Sequence, residues 1–322
     1  MVLSQLRAPK EHAKTGADKK MLPEGIIIVL GFLLLFVKMA TTAAKTRRVY
    51  LVDFACYKLP ESQSCTWAFV AEQFCSMGKL SERNLDFMQK TMERSGMGDS
   101  SYLSEGLIKK PVQISLEDAL SETRAAMFGA VRDLLEKTGL SGSDIGILVV
   151  NCTVFCMNPS LSAMIGHEFK LRDNVICYSL QGMGCSAGLV AIGLAKRLLQ
   201  VHNDSYALVV STECITDGMY RGDDRSMILI NCFFRVGGAA ILLSNQSFHR
   251  STAKYELCHT VQNQTAGSER SYNCIFRKED DEGEEGISVS KDLLDVACNT
   301  IEINIAILGH LILPTSEKFK YS

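Results

Sequence analysis

The chain lacks an excess of charge of either sign: 34 Lys and Arg against 36 Asp and Glu leave a formal net charge of −2. Binding a polyanion needs a basic face, so nucleic acid is excluded as an expected partner. The chain also lacks any C-x-x-C pair, although it carries 12 cysteines scattered from Cys56 to Cys298. Neither a zinc site nor a dense disulfide framework follows from that scatter, and reduced thiols facing the cytosol are the expectation. The main apolar run, Ile26–Val37 (IIIVLGFLLLFV), stops at Lys38 and is shorter than a bilayer requires. It predicts one membrane helix over 25–44 if Lys38 snorkels toward a headgroup, with 1–24 as a disordered polar tail and 45–322 as the main domain. No small-x-small site marks a cleaved signal peptide. Basic residues flank both sides of the run (Lys19 and Lys20; Lys45, Arg47 and Arg48), with a slight preference for the main domain on the cytosolic side.

With 47% hydrophobic and 22% charged residues, the rest reads as globular, with material for one large core or two similar halves. Its most informative stretch is Val175–Val201 (VICYSLQGMGCSAGLVAIGLAKRLLQV). A β-branched start leads into a turn at Gly182 and Gly184, and an apolar helix begins at about Ser186, so Cys185 falls at a helix N-terminus. Unpaired N–H groups and the helix dipole favour an anion there, and the thiolate is the form of cysteine that attacks thioesters. Three other readings fit the same string. A dinucleotide loop would use Gly182, Gly184 and Gly188, but the spacing is G-x-G-x-x-x-G and no acidic residue closes a second strand about 20 positions further on at the expected place. Gly184–Gly188 matches G-x-S-x-G, which would make Ser186 the nucleophile of a hydrolase elbow. A buried thiol packed beside a tight turn is the third.

Around this stretch the pattern alternates helix and strand. Ser115–Thr138 predicts an amphipathic helix with Ser115 as N-cap, Asp118 at the capping-box position, Gly139 as the stop, and Leu116, Leu120, Met127, Val131, Leu134 and Leu135 on the apolar face. Ile145–Asn151, the run into Cys185 and Tyr206–Thr212 predict buried strands, and a short helix is expected over Ser160–Phe169. Continuous rather than alternating apolar runs point to a mainly parallel sheet covered on both faces. Gly237-Gly238 opens a further strand over Ala239–Ser244, and Tyr255–Gln262 is expected as an antiparallel neighbour. The acidic run Glu279–Glu285 reads as a solvated loop, and a last helix begins near Ser290 with Leu293, Leu294, Ala297 and Ile301.

The strings VYLVDFACYK (Val49–Lys58), ILVVN (Ile147–Asn151), PSLSAM (Pro159–Met164), GMGCSAG (Gly182–Gly188), YALVVSTE (Tyr206–Glu213), DRSM (Asp224–Met227), FRVGGAAILLSN (Phe234–Asn245) and VSKDL (Val289–Leu293) resemble the plant 3-ketoacyl-CoA synthases. These are membrane-bound condensing enzymes of very-long-chain fatty-acid elongation, related to chalcone-synthase-type enzymes. The resemblance implies an α/β thiolase-like fold, with a mixed, mainly parallel sheet between helices in the N-terminal half. It also implies acyl transfer to Cys185 from acyl-CoA, followed by attack of the enolate of decarboxylated malonyl-CoA. Acyl-CoA and malonyl-CoA are then the substrates, with no metal and no other cofactor. The expected partners are a second copy or a related synthase and the other elongase enzymes, at the endoplasmic reticulum membrane with the catalytic domain facing the cytosol. A serine at this position would form an oxygen ester, less reactive toward a carbon nucleophile, which favours Cys185 over Ser186.

The departures are as definite as the match. The family's catalytic histidine and asparagine lie in a second half that would begin close to Ser322, so no residue here takes those roles, and a catalytically incomplete partner protein is the alternative reading. A further active-site histidine of the family falls on Gln264, which cannot shuttle a proton near neutral pH. His259 is expected to be a strand histidine, while His167, His202, His249 and His310 are expected on the surface or in packing. Lacking a second half, the apolar helix after Cys185 is expected to leave one flank uncovered.

Overall fold

A computed structural model describes residues 47–77, 80–98 and 100–318. The expected tail (1–24) and membrane helix (25–44) lie outside the described residues.

The central sheet forms because the apolar runs alternate which face they cover. Strand β1 is Tyr50–Tyr57 and β2 is Ile145–Asn151, every residue of β2 being buried. Ile176–Leu180 is β3, Tyr206–Thr212 is β4, Gly238–Ser244 is β5 and the short Tyr255–Glu256 is β6. Their order in the six-stranded sheet is β3-β2-β4-β5-β1-β6. Strand β2 is parallel to both β3 and β4, while β5 runs antiparallel to β4 and β1, and β6 antiparallel to β1. Four strands therefore point one way and β5 and β6 the other. Leu148 and Val150 of β2 meet Leu208, Val210 and Leu242 on one face, whereas Ile147 and Val149 meet Ala207, Val209 and Leu243 on the opposite face. That two-residue period is what a sheet covered on both sides needs.

Each face receives one long helix. A short helical pair precedes them in sequence: α1 is Trp67–Ser76 and α2 is Glu82–Arg94. Leu116–Thr138 is α3, which covers the first face; the Ser115 hydroxyl accepts from the Asp118 N–H at 3.1 Å, and Gly139 stops the helix at φ +70°. Met127, Ala130, Val131 and Leu134 of α3 are fully buried against the sheet, each large side chain contributing about 1.5–3 kcal/mol. Leu116, expected on this face, is instead 63% exposed, because the first helical position projects past the end of the core. Leu161–Glu168 is α4, capped by Ser160, and Ala187–Val201 is α5 on the second face, its Ala191, Ala195 and Leu199 fully buried. The other flank of α5 is uncovered, as expected: Leu189 is 76% and Val201 73% exposed. A third cluster joins Val70 and Phe74 of α1, Met88 and Met92 of α2, and Met227 and Ile228 of α6 (Arg225–Phe233).

Three expectations need correction in the last quarter of the chain. The strand expected over Tyr255–Gln262 is only β6; after the Leu257 N–H donates to the Val49 carbonyl (2.8 Å), the chain leaves the sheet. His259 is accordingly exposed and outside any strand. The acidic run is not a plain loop. It joins β7 (Ile275–Glu279) and β8 (Glu285–Val289) as the turn of an antiparallel hairpin. There Asp280 accepts the N–H groups of Glu282 and Glu284 (2.9 and 2.8 Å) and the Tyr220 hydroxyl. The last long helix, α7, is Leu293–Ile312, and none of its residues is buried. Its polar attachments include Thr300 to Thr265 (3.3 Å), Asn304 to Asn263 (3.2 Å) and Asp295 to Arg270 (2.5 Å). Leu294 (75% exposed) and Ile305 (63%) point outward.

Candidate active site

Cys185 is placed by a backbone that glycine makes possible. After β3 ends at Leu180, Gly182 (φ +66°) and Gly184 (φ +62°) both enter the left-handed region, which costs other residues about 1–2 kcal/mol. A single 3₁₀ turn, Gly184–Ser186, then runs straight into α5, one residue later than the sequence predicts. The turn is held from the neighbouring strand end. Thr153, just past β2, accepts the Gly182 N–H at its carbonyl (3.3 Å) and donates its hydroxyl to the Gly184 carbonyl (3.4 Å).

The Cys185 side chain is exposed and lines a cleft of about 370 Å³. Asn151, Ser211, Thr212, Glu213, Gly237 and Gly238 form its other walls. These residues come from the carboxyl ends of β2 and β4 and the amino end of antiparallel β5, so all sit at one edge of the sheet beside the N-terminus of α5. The Asn151 amide donates to the Ser211 hydroxyl (3.0 Å), and the Thr212 hydroxyl donates to the Gly237 carbonyl (2.8 Å).

Chemistry separates Cys185 from its neighbouring thiols. Burial, with the Glu213 carboxylate adding to it, pushes Cys152 up to about 12. Burial beside Glu122 pushes Cys214 up to about 12 as well, so both remain neutral thiols. Cys156 is exposed but donates to the Gln181 side chain (3.0 Å), and it does not line the cleft. The buried-thiol reading of Cys185 therefore fails on exposure. Ser186 is exposed too, yet its hydroxyl donates to the Met183 carbonyl (2.9 Å) rather than to a base. Among the described residues no histidine lines the cleft. His249 is buried and shares a hydrogen bond with the Tyr206 hydroxyl (3.0 Å), His202 is half-buried, and His167, His310 and Gln264 are exposed.

Sequence reasoning found Cys185 but not Asn151, Ser211 or Glu213 as its neighbours. The signal was present, since each is a polar residue closing an apolar run, at ILVVN and YALVVSTE. A second cleft of about 250 Å³ lies between the start of α3 and the β7–β8 hairpin, where Arg277 is paired with Glu285 (2.5 Å) and Asp217 (3.6 Å).

The fold is that of solved type III polyketide synthases. The type III polyketide synthase domain of Steely1 from Dictyostelium superposes with a TM-score of 0.69, at 17% identity, covering 81% of this chain and 73% of that one. Germicidin synthase from Streptomyces coelicolor gives 0.63 at 14% identity, over 84% and 77%. At the level of sequence, residues 41–322 match the family described as FAE1/type III polyketide synthase-like protein, and the chain belongs to that family. Its curated relatives include 3-ketoacyl-CoA synthase 2 of Arabidopsis thaliana, 48% identical over 90% of this chain and 55% of the relative. Another is 3-ketoacyl-CoA synthase 16 of the same plant, 48% identical over 86% and 57%. The chain thus spans a little over half the length of these relatives.

Proposed function

We propose that this chain carries the acyl-accepting half-site of a very-long-chain fatty-acid condensing enzyme. Cys185 takes the acyl group from acyl-CoA as a thioester, releasing CoA, and the acyl group then passes to the enolate formed by decarboxylation of malonyl-CoA, giving a 3-ketoacyl-CoA. The supporting observation is the exposed Cys185 in the cleft at the start of α5, within a chain 48% identical to a 3-ketoacyl-CoA synthase. A thioester keeps the acyl carbon reactive toward a carbon nucleophile, and the open end of the helix favours the negative charge that develops during transfer. No cofactor beyond the two CoA thioesters enters the scheme. The serine-hydrolase alternative is not favoured by the relatives' names, and the Ser186 hydroxyl is committed to the backbone.

The working place proposed is the endoplasmic reticulum membrane, with this domain on the cytosolic side and the other elongase enzymes nearby. A second copy or a related synthase is the proposed partner, a reading supported by β3, which stands at the edge of the sheet with Cys177, Tyr178 and Ser179 exposed. The test is to incubate the full chain in detergent with stearoyl-CoA and follow the intact mass and the Cys185 peptide. A stearoyl adduct on Cys185 that disappears in Cys185→Ala is expected; an unmodified Cys185 in folded protein overturns the reading. Supplying radiolabelled malonyl-CoA then asks about the second step, and elongated product rules out the non-catalytic alternative.

A further inference from the structure

Glu213 closes β4 and shares the cleft with Cys185. A carboxylate opposes any other anion nearby, so an acid is a poor residue merely to fill this wall. Its oxygens are committed elsewhere: Oε1 accepts the Thr153 N–H at 2.7 Å, Oε2 accepts the Val154 N–H at 3.2 Å, and the Cys152 thiol donates to Oε2 at 3.7 Å. Two successive backbone N–H groups thus converge on one side chain. Thr153 is also the residue that grips both ends of the glycine turn, through the Gly182 N–H and the Gly184 carbonyl. The links run without a gap from Glu213 to Thr153, from Thr153 to the Gly182–Gly184 turn, and from that turn to Cys185.

We propose that Glu213 is a positioning residue for Cys185: its carboxylate fixes the 152–154 segment, and through Thr153 holds the left-handed glycine turn that presents the sulfur to the cleft. The inference rests on Cys185 being the acyl acceptor. It explains why an acid rather than an amide stands here. A carboxylate accepts at both oxygens, whereas glutamine would turn its own NH₂ toward one of the two N–H donors and release that end of the segment. Two glycines in the left-handed region leave the turn with little stiffness of its own, so the fixing must come from outside it.

The experiment uses the full chain in detergent, as wild type, Glu213→Gln and Thr153→Val. Iodoacetamide labelling is timed by peptide mass spectrometry, with the exposed Cys75 of α1 as internal reference. Thermal unfolding is followed in parallel, and loading from stearoyl-CoA is measured on the same samples. Both variants are expected to lower the Cys185-to-Cys75 labelling ratio, Glu213→Gln by about tenfold or more, since small misplacements of a reacting group are that costly. A merely structural role would lower the melting temperature and leave the ratio alone, and a folded Glu213→Gln with the wild-type ratio overturns the proposal. Should Glu213→Gln not fold, Thr153→Val decides: an unchanged ratio overturns the proposal and a lowered one supports it. Wild-type Cys185 that labels with iodoacetamide but takes no acyl group from stearoyl-CoA would defeat the synthase reading while the labelling ratio still decides the role of Glu213.

Discussion

Gly184 separates backbone cost from steric cost beside Cys185. An ideal Cβ at this position meets nothing within 4 Å, so Gly184→Ala adds no clash and pays only for the left-handed conformation. Its expected cost is about 1–2 kcal/mol of stability, read by urea denaturation, together with slower alkylation of Cys185; an alanine variant as stable and reactive as wild type would contradict the turn geometry. His249 tests pH dependence at the same scale. Burial lowers its pKa below the ordinary 6.5 of histidine, so the folded state favours the neutral ring that meets Tyr206. As pH falls through 6.5 the unfolded chain takes up the proton first. The stability contributed by the neutral ring is full above that value and is lost as the pH falls toward and through the lower folded pKa. His249→Gln should therefore flatten the fall in urea stability between about pH 7 and pH 5; an unchanged slope would assign it to other groups.

Among the elements, α3 is where the core is most sensitive. Leu134→Ala removes a fully buried side chain between helix and sheet and should cost about 2–5 kcal/mol, whereas Ser115→Ala removes only the N-cap and should cost about 1 kcal/mol. Urea midpoints of the two variants check both values and their order. The same helix explains what could be read in the sequence. Its cap, its stop and its core positions follow from local rules, as do the limits of β2 and β4, because those residues are chosen by period and by turn chemistry. Leu116 and the residues after Leu257 could not be read so. Where an element passes beyond the sheet, or pairing stops, depends on what packs there, and apolarity alone does not say. The turn between β7 and β8 escaped for a related reason. Its acids look solvated in sequence, but the Tyr220 hydroxyl and two N–H groups from the turn itself organise Asp280. At the site, Cys185 was legible because a strand, glycines and a helix surround it in sequence; Asn151, Ser211 and Glu213 reach it only through the pairing of β2 with β4.

For the molecule as a whole, exposure of apolar surface is the dominant physical fact outside the core. Leu189 and Val201 on α5 and Leu294, Ile301 and Ile305 on α7 are all more than half exposed. Large exposed apolar side chains on long helices favour association. The full chain in detergent should bind a hydrophobic dye and sediment heavier than a monomer, and Leu189→Glu combined with Leu294→Glu should reduce both signals. A clean monomer without dye binding would show that these flanks are harmless.

The polar seating of α7 has a consequence for motion. Thr300, Asn304 and the exposed Asp295–Arg270 pair tie it down by polar contacts that water can replace at little cost, and its apolar side chains are at most half-buried. Amide protons along this helix should therefore trade with deuterated solvent long before those of α3, the segment lifting away as a unit while the central sheet stays closed.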